Sequence, residues 1–198
     1  MQAPNHKSLF CSSTNPRSLV MQQWDRTPSG RVITVLRIRI HTTQTPQVGE
    51  CTRVSYETST ADQTFAEMRW NDPRIGLGTV RIENGVDIPM QRLIHGRMQG
   101  SDGDQASFEF DSKRYVWHSN PTVNDPTSKT YTLTAYGAEA RLANFYERWR
   151  SPDYMHNPSP SLFEYDDVRT SQRLLLMSIV ALTILRWVDG GGGGFLRS

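Results

Sequence analysis

The chain has 198 residues, 22 Lys+Arg against 20 Asp+Glu, a formal charge of +2 and two cysteines. Its length suits one domain around a single core, so one domain rather than two is expected. The near-balanced charge excludes nucleic acid recognised through bulk electrostatics, and so few cysteines exclude a disulfide scaffold.

Arginine outnumbers lysine 19 to 3, but the arginines scatter along the whole chain. That scatter reads as codon composition rather than as a concentrated phosphate site. The first thirty residues hold no apolar h-region, and Asn15 and Asn157 are each followed by proline, so neither a secretory signal nor a glycosylation sequon is read. Cys11 and Cys51 read as buried thiols. A cytoplasmic or otherwise intracellular location is expected.

In chain order, residues 1–8 are expected to be disordered and Leu9 to Gly30 mostly turns, with NP, TP and SG as punctuation. Arg31 to His41 alternates, which puts Val32, Thr34, Leu36, Ile38 and Ile40 on one strand face and Arg37, Arg39 and His41 on the other. Cys51 to Thr58 alternates again, with Thr52, Val54, Tyr56 and Thr58 opposite Arg53, Ser55 and Glu57. Gln63–Trp70 and Gly78–Ile82 predict shorter strands, separated by Asn71, Asp72, Pro73 and Gly76.

Gly100 to Gln105 reads as a loop feeding an aromatic hairpin, Ser107–Phe110 turning at Asp111, Ser112 and Lys113 into Arg114–His118. Phe108, Phe110, Tyr115 and Trp117 are its expected anchors. A proline-rich loop over 120–127 precedes a strand over 130–136. Residues 137–150 stay open between helix and strand, because Ala138, Leu142, Phe145 and Trp149 recur at helical spacing while Leu142–Tyr146 could pair as a strand. Ser151–Pro160 reads as an exposed loop and Leu162–Tyr165 as a strand.

Leu174 to Leu185, LLLMSIVALTIL, is apolar except for Ser178 and Thr183 and is bounded by Arg173 and Arg186. A helix of this length spans about 18 Å, short of the roughly 30 Å hydrocarbon layer, and it is apolar all round. It is therefore expected to be a core element, with Asp166 and Asp167 favouring its positive end and Thr170 a further cap. The chain closes on Asp189 and the run Gly190–Gly194, a flexible tail over 189–198.

The pieces ETSTADQTFAEMRW, FEFDSKRYVW and RLLLMSIVALTILRW resemble a group of fungal proteins built on one domain of unknown function. The hairpin pattern is carried by Phe108, Asp111, Tyr115 and Trp117, and the resemblance covers roughly residues 10–188. That group in turn resembles the tubby, phospholipid-scramblase and LURP-one-related superfamily. The resemblance implies a mainly β (α+β) fold, a closed antiparallel β-barrel of short strands around one buried apolar C-terminal helix, as a single domain over 9–188. It agrees with the residue pattern, since closure removes sheet edges and a helix fills the lumen.

The search for chemistry finds no catalytic constellation, cofactor motif or metal set. His6, His41, His95, His118 and His156 are scattered, without an i, i+4 pair. Gly76 and Gly78 precede a strand rather than opening a helix, so a tight turn replaces the dinucleotide reading. Asp102 with Asp104, and Asp166 with Asp167, have ordinary solvation and capping roles, because a hard cation needs several converging oxygens. Arg37, Arg39 and Arg53 form a candidate anion-binding patch if their strands pair.

The function expected is a non-catalytic binding or scaffold module recognising an anionic lipid or a protein partner, with no nucleic acid. The alternative is a tail-anchored membrane protein using the C-terminal apolar segment, disfavoured because about twelve apolar residues are too few to span.

Overall fold

Period-two alternation dominates the chain upstream of Leu174, and in the computed structural model it becomes thirteen antiparallel strands. The structure describes residues 6–46, 49–57, 61–71, 76–100, 103–122, 125–147 and 161–189. The expected loop at 151–160 and the glycine run 190–194 lie outside the described residues.

The strands are β1 (His6–Cys11), β2 (Leu19–Arg26), β3 (Val32–Thr45), β4 (Gly49–Glu57), β5 (Asp62–Trp70), β6 (Gly78–Ile82) and β7 (Asp87–Pro89). A one-turn helix α1 (Met90–Leu93) leads to β8 (His95–Gly100), β9 (Gly103–Phe110), β10 (Lys113–Thr122), β11 (Asp125–Ala135), β12 (Arg141–Tyr146) and β13 (Ser161–Asp166). The chain then enters α2 (Gln172–Trp187). The strands form one sheet in the order β7-β6-β5-β4-β3-β2-β1-β13-β12-β11-β10-β9-β8.

That order corrects the expected closed barrel. β7 and β8 are the two edges and do not pair with each other, so the sheet is open. Closure fails at a definite place: β7 has only three residues and ends in Pro89, which has no N–H to donate, and the chain turns at once into α1. Met90 and Leu93 of that turn are buried, occupying core space at the open edge.

The expectation for α2 holds. Every residue from Leu174 to Arg186 is buried, and the strands' inward residues form one core cluster with the helix, from Leu9 and Ile38 to Leu133 and Phe163. Its two hydroxyls are satisfied locally, Ser178 Oγ donating to the Leu174 carbonyl at 2.7 Å and Thr183 Oγ1 to the Ile179 carbonyl at 2.8 Å. The N-cap is Ser171, whose Oγ accepts from Leu174 N at 3.2 Å. Thr170 instead donates to the Leu142 carbonyl, and Asp166 Oδ1 accepts from Val168 N and Arg169 N, shaping the turn before the helix.

Other expectations shift. β1 begins at His6, inside the segment expected to be disordered, because it is zipped between β13 and β2. β2 and the end of β1 take up half of the stretch read as turns. β12 resolves residues 137–150 in favour of a strand over 141–146, paired on both sides. β8 and β10 end inside the expected loops at 100–105 and 120–127, and β9 and β11 begin inside them.

The aromatic hairpin is as expected. Asp111 and Ser112, at φ +48° and +60°, make a two-residue turn of the kind that matches strand twist. Phe108 faces Tyr115 directly across it, their rings stacked at 5.5 Å.

Candidate functional site

The three arginines expected to bind anions lie on the outward face of β3 and β4, and each meets a carboxylate. Arg37 Nη1 donates to Glu57 at 2.8 Å, Arg39 Nη1 to Asp62 at 2.7 Å, and Arg53 Nε to Glu67 at 2.8 Å. Arg69 and Arg81 continue the row onto Asp87. Pairing brings arginines of β3 to β6 beside acids one or two strands away, so the face is a ladder of mixed sign. Its carboxylates compete with any incoming anion. Only the register could reveal this, because the acids lie 14 to 23 residues away in sequence.

The chemistry-bearing cleft lies instead at the C-terminal end of α2, with a volume of about 530 Å³. It is lined by Thr14 to Arg17 of the β1–β2 connection, Lys129 and Tyr131 of β11, Glu147 after β12, and Arg186, Trp187 and Asp189 at the helix end.

Three cations enter it from three segments. Arg186 is held on all sides: Nε donates to Glu147 at 3.0 Å, Nη2 to the Thr14 carbonyl at 2.6 Å, and the guanidinium lies 4.4 Å from the Phe145 ring centroid. Arg17 stacks on Trp187 at 3.6 Å from the ring centroid and meets Glu50 at 2.6 Å. The contact with Glu50 is made by its buried Nη1. Lys129 Nζ and Tyr131 OH both donate to Asp189 Oδ2 at 3.0 Å.

Cations suit this end, because the last carbonyls of α2 make it the negative pole. Glu50, Glu147 and Asp189 balance them, so the cleft presents both signs on walls held by stacking and hydrogen bonds. Burial, reinforced by the Asp189 charge, pushes the Tyr131 hydroxyl far above the phenol range, so it stays a donor.

Neither thiol is activated as a nucleophile. Burial raises the Cys11 thiol to about 12, which keeps it protonated at neutral pH. Cys51 is also raised, by burial and by Glu67. Among the described residues no cluster of three or more His, Cys, Asp or Glu could hold a metal ion. Asp166 and Asp167, considered for a cation in the sequence, are engaged with backbone N–H groups and Arg169, and with Lys7 at 2.7 Å, respectively.

Sequence reasoning missed this cleft because its residues are single charges on separate segments with no motif spacing. The available signals were Arg186, Trp187 and Asp189 at the end of an otherwise apolar helix. No family model, curated protein or solved structure matches the chain.

Proposed function

We propose that this protein is a non-catalytic intracellular binding module whose ligand is a small zwitterion, carrying an anionic and a cationic group, taken into the cleft at the end of α2. One observation carries the reading: cations and carboxylates from four chain segments converge on one cavity and are already fixed in place. A preformed polar cleft loses little side-chain entropy on binding. Its balance of sign disfavours a polyanion, which Glu147 and Asp189 repel, and a simple cation, which Arg17 and Lys129 repel. A carboxylate end can meet the charges of Arg17 and Lys129, while an ammonium end meets Glu147.

The lipid reading of the sequence loses its support, since the outward arginines are paired. The tail-anchor alternative also loses support: among the described residues no helix is long and apolar enough to cross a membrane, and α2 is enclosed by the sheet.

Calorimetry with free amino acids and dipeptides at up to 10 mM, on the full chain and on Arg17→Gln and Glu147→Gln, tests this. A ligand at 100 times its Kd stabilises by about 2.7 kcal/mol, visible as a raised Tm. Binding that falls at least tenfold in both variants is expected. Absence of binding by any zwitterion, or binding indifferent to both substitutions, refutes the reading.

A further inference from the structure

The β2–β3 hairpin does something the rest of the sheet does not. β3 pairs with β4 only from Ile38 onward, where Ile38 faces Tyr56, so among the described residues nothing pairs with Val32–Leu36 on that side. On its other side this stretch pairs with β2, Thr34 facing Trp24 and Val32 facing Arg26. The result is a two-stranded arm reaching past the end of β4. In an antiparallel ladder alternate residues point their N–H and C=O groups to opposite sides, so the arm carries backbone groups that no strand among the described residues meets.

The arm is apolar and well held. Trp24, Val32, Ile33 and Val35 are 42%, 55%, 40% and 46% exposed. They are four of the seven large apolar side chains that stand exposed among the described residues; the others, Val86, Tyr136 and Val168, lie on separate segments. Trp24 stacks on Phe10 of β1 at 5.0 Å, bracing the base. The tip is closed by Thr27 N donating to the Arg31 carbonyl and Gly30 N to the Thr27 carbonyl, with Gly30 at φ +82°. A bulge between Gln23 and Trp24 sets Val35 out of register and bends the arm.

Charge selects the occupant. Arg26 and Arg31 are exposed at the tip and, among the described residues, neither has an ion pair, unlike the arginines of the ladder. The stretch Arg31–Arg39 contains three arginines and no acid. Arg37 and Arg39 are already paired with Glu57 and Asp62, so a second copy laid antiparallel on this edge would add its own Arg26 and Arg31 and bring no acid from its stretch 31–39 to meet those of the first. An extended segment of another protein, alternating in β-branched residues and flanked by acids, satisfies the backbone, the apolar faces and the free guanidinium groups together.

We infer that the β3 edge of this arm is a docking site for an acidic, extended segment of a partner protein, added as an extra strand beside Val32–Leu36. The site is separate from the cleft. Val35 and Leu36 line a smaller cavity with Gln172 and Leu175 at the start of α2, roughly 24 Å of helix away from the cleft.

The test uses the full chain and two synthetic nine-residue probes with the core VTVTV, one flanked by two acidic residues at each end and the other by two lysines. Fluorescence anisotropy is expected to show the acidic probe binding at least tenfold more tightly, and hydrogen exchange to slow in residues 32–36. Arg31→Glu and Ile33→Lys, both on exposed side chains, should each weaken it at least tenfold. No binding of the acidic probe at 1 mM, equal binding of both probes, or protection elsewhere overturns the proposal. So does a dimer in sedimentation velocity, or binding to phosphatidylserine vesicles, that Ile33→Lys abolishes while the acidic probe stays inert. Ile33→Lys should leave the cleft's zwitterion binding intact, so the two readings fail separately.

Discussion

Ile179 sits at the middle of α2 and is 1% exposed, with Leu175, Leu176, Val180 and Leu182 around it equally enclosed. Ile179→Asp removes a buried aliphatic side chain, which costs about 2–5 kcal/mol in comparable truncations. It also places a carboxyl where the helix hydroxyls have already committed their protons to backbone carbonyls. An unsatisfied buried polar group adds about 1–3 kcal/mol, and more when charged. Together these come to about 3–8 kcal/mol, and more when the carboxyl is charged, against a stability of about 5–15 for a domain.

At this chain length 1 kcal/mol moves Tm by about 2–4 °C, so a fall of 10 °C or outright unfolding is expected. Burial would raise the new carboxyl's pKa in the folded state. The penalty should therefore grow as pH rises out of the carboxylate range, by about 1.4 kcal/mol per unit while the folded group stays protonated. Urea melts followed by circular dichroism at pH 4 and pH 7 measure this. Ile179→Asn controls for polarity without titration, and Ile179→Val should cost only about 0.5–1.5 kcal/mol. A cooperative melt within 5 °C of wild type at both pH values would refute the enclosed helix.

Gly78→Ala should be among the most damaging small changes: Gly78 sits at φ +105° and an added Cβ would collide with the Arg69 carbonyl oxygen, so a loss above about 2 kcal/mol is expected in denaturant melts. Arg53→Ala removes a pair whose arginine side chain is 59% exposed, and should cost no more than about 1 kcal/mol, shrinking further in 1 M salt. Cys11, raised to about 12 from an ordinary 9.0, contributes stability that is whole below about pH 9 and is lost as pH rises toward 12. Cys11→Ala should flatten that alkaline fall. At pH 8, mass spectrometry after brief iodoacetamide treatment should find Cys51 alkylated well before Cys11, and equal rates would contradict the burial of Cys11.

Local pattern alone was enough to place α2, the aromatic hairpin and the β5 and β6 strands. An apolar run too short to span a bilayer has to be core, and alternating residues between turn formers have to pair, so covalent order suffices for these. What it could not supply was closure, register and the far ends of long strands. Val32 and Thr34 carry the same alternation as Ile38 and Ile40, yet only the latter pair is buried, because β4 stops short and a bulge bends the arm away. Nothing near Pro89 announces that the sheet ends there rather than meeting β8. Arg37, Arg39 and Arg53 looked like a basic patch because their neutralising acids arrive only by strand pairing, while Arg17, Lys129, Glu147 and Asp189 looked unrelated until folding brought them to one end of the helix. Secondary structure follows from short-range periodicity; charge balance and binding surfaces depend on which distant segments become neighbours, and only the tertiary structure decides that.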